Sequence, residues 1–335
     1  MTLYRLKLRP RSPWRTPWQA DTLTGMLLAT CARTHGPDVL RSLLIDPMLA
    51  GDPPFVLSDA LPGDLLPFPI TLRLGDWPQG TDFKALKRAC WLEPDHFQTA
   101  RTGHRPPFDT LIPDAAIFKD HTRQHNTLSR DTDATFTAEQ GGGIYQRPET
   151  FLLDSPDSAR DHLSLYFRIL DPDRQAAGDL LLDLLHELSL TGFGADTSTG
   201  RGQFDITDDP QPMPALDSLP SDAARSANAV ISLSTFQPGL ADPTDGYWDA
   251  FPKFGKLGPE LASLAGDHRK NTLILFKPGA CFRTDPNRPF MGRAVPMHEL
   301  LPESTTTQLH QRQVNIIHPA FGLCVPASLS WEIVE

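Results

Sequence analysis

T-G-F-G-A-D-T-S-T-G-R-G-Q-F, Thr191 to Phe204, is the stretch on which the reading of this 335-residue chain turns. Gly192, Gly194, Gly200 and Gly202 surround Thr197, Ser198, Thr199 and Arg201. Just before it, in Ala177–Leu190, Leu181, Leu184, Leu185 and Leu188 recur at helical spacing, so Gly192 is placed to end a helix. Glycine admits positive φ and lets a ligand approach the main chain closely. Successive amides and hydroxyls can then form an anion-binding concavity, with the Arg201 fork gripping a phosphate. The same letters also describe a helix end followed by a tight turn into a strand. Two nucleotide motifs are excluded. No Lys-Ser/Thr follows the last glycine as in a Walker loop, and Thr197 stands where the third glycine of G-x-G-x-x-G belongs.

Upstream, Leu163, Leu165, Phe167 and Ile169 alternate as in a half-buried strand. Residues 2–9 read as a strand, with Leu3, Leu6 and Leu8 among basic neighbours. Asp21 is suited to cap a helix carrying Leu23, Met26, Leu27 and Thr30 on one face and ended by His35-Gly36-Pro37. Phe55–Ala60 reads as a short strand stopped by Leu61-Pro62-Gly63; Thr81-Asp82 caps a short helix with Phe83, Leu86 and Cys90 on one face. His121 to Arg147 reads as a polar lead-in to a long hairpin with its tip at Gly141-Gly142-Gly143. Beyond residue 224 the strand candidates are Ala229–Phe236, Asn271–Phe276, Val314–Ile317, Phe321–Val325 and Ser328–Val334, with one short helix near Pro259–Leu264. The β-α-β…β-α-β order predicts an α+β chain of ferredoxin-like units rather than a doubly wound sheet, the second unit a degenerate copy with shrunken helices.

Length alone suggests about two domains. The formal net charge is −10, yet Arg5, Lys7, Arg9, Arg11 and Arg15 precede the first acid. Asp205 to Ala224 holds Asp205, Asp208, Asp209, Asp217, Asp222 and four prolines with no Lys or Arg, which predicts an acidic, Pro-rich linker over 205–224. The expected domains are 1–204, with a hairpin near 128–150 and the glycine-rich loop 191–202, and 225–335. Positive charge returns at Lys253, Lys256, Arg269, Lys270 and Lys277. Such a balance excludes wholesale coating of nucleic acid but leaves room for a local basic groove. Cys31, Cys90, Cys281 and Cys324 form no C-x-x-C pair, so neither a zinc site nor a disulfide framework is expected, and a reduced, cytoplasmic setting fits. No apolar run is long enough to span a membrane.

Enzyme templates fail one by one. His186-Glu187 lacks a second histidine, because Leu190 occupies its place, and no G-x-S-x-G elbow exists. His125 with Arg130 can serve as general base and phosphate clamp in metal-independent RNA cleavage, but no partner acid or base stands at a suitable spacing, which favours both merely lining a nucleic-acid groove or a solvated loop. No cofactor or metal is expected. Phe193, flanked by glycines, is a candidate for stacking a base.

These motifs, taken in order, resemble a known family. A-D-T-L-T-G-M-L-L (Ala20–Leu28), L-S-D-A-L-P (Leu57–Pro62), F-K-A-L-K-R-A-C-W-L (Phe83–Leu92), H-N-T-L-S-R-D-T (His125–Thr132) and the glycine loop are similar to the RAMP proteins of CRISPR-Cas effector complexes. L-S-T-F-Q-P-G (Leu233–Gly239), L-I-L-F-K-P-G-A-C-F (Leu273–Phe282) and H-P-A-F-G-L-C-V-P (His318–Pro326) agree. The narrower resemblance is to the subunit-four family of type III-A (Csm) complexes. It implies two ferredoxin-like (RRM-like) domains around a basic cleft, a β-hairpin thumb, and a non-catalytic role in antiviral ribonucleoprotein. The expected partners are the 5′ repeat-derived tag of the crRNA, the large signature subunit and a backbone RAMP subunit. Gly192, Gly194, Ser198, Thr199, Gly200, Arg201 and Gly202 match the family's glycine-rich loop, and Asn126 and Arg130 its lead-in to the thumb. Arg9, Arg11, His125, Phe193, Lys253 and Lys277 complete the expected RNA contacts. Two alternatives stay open: a RAMP endoribonuclease processing crRNA precursors, with His125 as acid/base, and the equivalent 5′-end subunit of another type III subtype.

Overall fold

The computed structural model describes residues 1–74, 77–128, 134–135, 143–153, 160–258, 261 and 269–331. In the first half, β1 (Leu3–Pro10) leads through α1 (Ala20–Thr34) to β2 (Phe55–Pro62). An insertion then carries α2 (Pro94–Arg101) and a hairpin of β3 (Phe118–Asn126) and β4 (Ile144–Leu152). The chain returns as β5 (Leu163–Ile169), α3 (Arg174–Thr191), β6 (Phe204–Ile206) and β7 (Gln211–Pro212). The strands order as β7-β1-β5-β2, with β6 also paired to β1, and every pairing is antiparallel. A crossover helix after the first strand and another after the third are what return the chain to this order.

The second half contains β8 (Ala229–Ser232), β9 (Gly246–Tyr247), β10 (Ala250–Lys253), β11 (Leu273–Phe276), β12 (Cys281–Arg283), β13 (Phe290–Pro296), α4 (Glu303–Gln311) and β14 (Ile317–Ala327). Its sheet runs β9-β12-β8-β14-β13, again antiparallel, while β10 and β11 pair separately. One apolar cluster is continuous across both sheets, joining Leu3, Leu165 and Leu185 to Ile231, Leu323 and Val325. The halves are also bolted together by polar groups. Asp59 on β2 accepts hydrogen bonds from the Thr235 amide and hydroxyl, both at 2.7 Å, and Ser234 Oγ donates to Leu57 O at 2.8 Å.

Several expectations need correcting. β5 is buried along its whole length rather than half-buried, because helices and the second sheet cover both faces of the first sheet's centre. The acidic stretch 205–224 is no free tether. Part of it forms β6 and β7 on the edge of β1, Leu216 and Leu219 are buried, and Asp208 Oδ1 accepts from the Lys7 amide at 2.8 Å. Asp82 caps Phe83–Arg88 as expected, accepting from the Lys84 and Ala85 amides; Leu86 is buried, but Phe83 faces solvent and Cys90 belongs to the next strand, Ala89–Leu92. Asp21 does not cap α1. Gln19 occupies that position, and the Asp21 carboxylate is buried against Lys253. Val314–Ile316 is irregular, the last strand is continuous from Ile317 to Ala327, and Ser328–Trp331 is not strand. Apart from Leu261 and Gly143, the helix near Pro259–Leu264 and the expected hairpin tip lie outside the described residues.

Candidate nucleic-acid interface

Gly192 ends α3 at φ 86°, and its amide donates to Leu188 O. The chain then turns inward. Phe193 is fully buried and stacks on Trp18 with ring centroids 4.1 Å apart, so it cannot stack a base; the tight turn, not a ligand, claims this ring. At Gly202, φ is 68° and a Cβ would lie 1.9 Å from Phe193 O, so the loop's own crossing demands glycine here. Most loop amides are already used. Phe193 N donates to Gly202 O, Ala195 N to Thr16 Oγ1, Thr199 N and Arg201 N to Asp196 O, Gly200 N to Thr197 O, and Gly202 N to Pro13 O. The anion nest read from the glycines is therefore mostly filled by the protein. What faces solvent is the rim, Ser198, Thr199 and Gly200, with open space where a Gly200 Cβ would point.

The charge beside this rim comes from a neighbouring element. Trp14 and Thr150 exchange backbone hydrogen bonds at 3.1 and 2.8 Å, which brings residues 13–16 onto the base of the β3–β4 hairpin. Arg147 Nη1 lies 2.8 Å from Asp196 Oδ2, and Arg15 Nη1 binds the same oxygen. Burial opposes ionisation of Asp196, but the Arg15 hydrogen bond and the charges of Arg15 and Arg147 outweigh it and hold the carboxyl below its ordinary value. Arg201 Nε donates to Glu149 Oε1 at 2.7 Å, with Arg123 Nε 3.9 Å from the other oxygen. Four guanidiniums thus meet two carboxylates, leaving a local excess of positive charge.

The hairpin register extends this surface. Strand alternation puts Lys119, His121, Arg123 and His125 on one face of β3, directly across from Phe151, Glu149, Arg147 and Tyr145. His125 stacks on Tyr145 at 5.5 Å, and the Arg147 guanidinium sits 5.1 Å from the same ring. Tyr145 and Ile144 are exposed. A cleft of about 450 Å³ lies between the end of β1 and this hairpin, lined among others by Arg9, Arg11, Trp14 and Phe151. Arg9 pairs with Asp161, and Arg11 lies 3.4 Å from Asp205.

The expected contacts therefore divide. Arg9, Arg11, Ser198, Thr199, Gly200 and Arg201 gather around the loop and hairpin base, while His125 and Asn126 sit farther out along the hairpin. Gly192, Gly194 and Gly202 serve the loop's own packing. Arg130 lies outside the described residues. Lys253 does not belong to the surface: its Nζ is held by Asp21, Gln19 and Thr22 at 2.6–2.8 Å. Lys277 is exposed after β11, in the second half. Sequence reading missed Arg15, Arg123, Arg147, Asp196 and Glu149 as a unit. The alternation of basic residues along β3 was the available signal. Among the described residues no group of His, Cys, Asp and Glu fits a metal ion, and no described helix is long and apolar enough to cross a membrane.

The described residues form an α+β chain with two five-stranded antiparallel sheets and a separate β3–β4 hairpin. Solved structures share this fold. A chain of the Csm1–Csm4 cassette crystallised with pppApA superposes at TM-score 0.56 and 18% identity, covering 99% of both chains. A chain of the Csm3–Csm4 subcomplex of the type III-A CRISPR-Cas interference complex superposes at TM-score 0.59 and 11% identity, covering 96% of this chain and 99% of that one. The fold is that of Csm4. No family model and no curated protein matches the sequence.

Proposed function

We propose that this chain is the non-catalytic crRNA-binding subunit of a type III CRISPR interference complex. It holds the 5′ repeat-derived tag and bridges the large signature subunit to the backbone RAMP subunits. The observation that carries the reading is the superposition over nearly the whole chain on proteins crystallised with Csm1 and with Csm3, which supplies the two neighbours. In this reading the halves are two ferredoxin-like units. The order β7-β1-β5-β2 supports the first, as that of a β-α-β-β-α-β unit with an insertion before its third strand; the second is the degenerate one. The β3–β4 hairpin is the thumb.

Phosphates of the tag lie along Arg15, Arg123, Arg147 and Arg201, with Arg9 and Arg11 continuing the track, and exposed Tyr145 takes the stacking role that Phe193 cannot. The non-catalytic reading is supported by His125, which is packed face to face on Tyr145 with no carboxylate in ion-pair reach among the described residues. Co-expression with neighbouring type III subunits, followed by sequencing of the co-purified RNA, tests the proposal. It expects small RNAs sharing one 5′ end. Heterogeneous RNA would contradict it, and a discrete cut of repeat RNA in chelator, lost in His125→Ala, would favour an endoribonuclease.

A further inference from the structure

Asp196 differs from the other acid of the arginine cluster in three respects. Glu149 is sealed at 2% side-chain exposure, whereas Asp196 is 21% exposed and its partners Arg15 and Arg147 are 25% and 31% exposed. Asp196 holds a left-handed backbone, φ 64° and ψ 26°, which side-chain-bearing residues seldom adopt and which tends to persist at functional sites. Its carboxylate presents a single oxygen, Oδ2, to both guanidiniums. Two partly exposed guanidiniums converging on one carboxylate oxygen offer charge-assisted donors that a phosphate oxygen can accept equally well. The neighbouring rim, Ser198 to Gly200, is exposed and uncrowded, so a strand can reach the seat.

We propose that Asp196 is a built-in phosphate mimic. In the free chain its carboxylate occupies the seat between Arg15 and Arg147, and an RNA phosphate takes that seat by displacing it. The inference rests on the RNA-binding reading above and adds a regulation to it. With the acid in place, the arginines stay ordered and half of their charge is cancelled, which weakens binding of stray polyanions. Only a strand that also engages the rest of the track offsets the loss of the internal ion pairs. Asp196 thereby trades affinity for selectivity, whereas an acid that merely positioned the arginines would raise affinity.

The two roles predict opposite signs. Asp196→Asn keeps the size and the left-handed preference of the residue while removing the charge. Binding of octauridylate to the full-length chain, read by fluorescence anisotropy over a salt series, should tighten about tenfold in Asp196→Asn, with the log–log salt slope steeper by about 0.7, one phosphate's worth. Asp196→Gly, which relieves the backbone, should give the same gain. Adding Arg147→Gln to Asp196→Asn should abolish it. Equal or weaker binding by both single variants, with wild-type binding intact, overturns the proposal and leaves the RNA-binding reading standing. Absence of binding by wild type and variants alike overturns that reading, and the proposal with it.

Discussion

Glu149, buried at the base of the hairpin, accepts a hydrogen bond from Arg201 at 2.7 Å and so fastens the glycine loop to β4. A carboxylate out of water is tolerable only when its charge is matched. Glu149→Ala should therefore destabilise the chain by about 1–3 kcal/mol in urea unfolding, because it leaves the Arg201 head without its buried partner. Glu149→Gln, which keeps an acceptor, should lose less. Equal stability of Glu149→Ala and wild type would mean that the loop's other contacts hold it without this ion pair.

The loop's glycines separate into those needed by the protein and those free of it. At Gly202 a methyl group would strike Phe193 O at 1.9 Å, whereas at Gly200 it would meet nothing within 4 Å. Both have positive φ, so both alanine variants are strained. Gly200→Ala should cost about 1 kcal/mol, and Gly202→Ala several times that, since backbone must move. Thermal unfolding of the two variants side by side checks the difference, and equal melting temperatures would refute it.

The seam between the halves carries a pH dependence. Asp59 is buried and accepts from the Ala20 amide as well as from Thr235; burial outweighs these donors and pushes its carboxyl up to about 6. A group whose pKa rises on folding stabilises below its unfolded value, and that stabilisation is lost as pH climbs through the folded one. The shift from 3.8 to about 6 is worth about 3 kcal/mol at about 1.4 kcal/mol per unit. Asp21 runs the other way. Burial raises it, but His318 Nε2 at 2.9 Å and the Lys253 charge bring it down to about 2, so its contribution is lost only in strong acid. Stability should fall between about pH 4 and about pH 6, and Asp59→Asn, whose Oδ1 still accepts from the Ala20 and Thr235 amides, should be flat there. A level wild-type profile would contradict this assignment.

Local pattern made much of this legible, and long-range partners hid the rest. The strand at Leu163–Ile169, the leucine face of α3 and the Gly192 stop needed only neighbours in sequence, and all three hold, although the strand is buried on both faces rather than on one. Asp21 preceded a helix and so read as a cap; its actual partners, Lys253 and His318, lie more than 200 residues away, beyond any local signal. Phe193 between glycines read as exposed because nothing nearby announces Trp18 as its lid. The arginine cluster was invisible for the same reason. Arg15, Arg147 and Arg201 come from three separate segments that meet only once Trp14 pairs with Thr150.

Arg101 makes a further case. It is fully buried without a carboxylate in contact among the described residues, and its guanidinium instead satisfies the carbonyls of Ala215, Leu216 and Ser218, reaching Pro326 O at 3.4 Å. It thereby fixes the acidic stretch and the end of β14 to α2. Arg101→Met keeps the volume but strands those carbonyls, and should destabilise the chain by at least about 3 kcal/mol. A loss below about 1 kcal/mol in urea would show that water replaces the guanidinium there.

The surface that carries the functional account can be located directly. Ultraviolet crosslinking of the full-length chain to single-stranded RNA containing 4-thiouridine, with crosslinked peptides identified by mass spectrometry, reads which residues touch the bases. Crosslinks are expected on Tyr145 and its neighbours in β4 and on the rim from Ser198 to Arg201. Crosslinks confined to the second sheet, with none on the hairpin or the glycine loop, would contradict that placement.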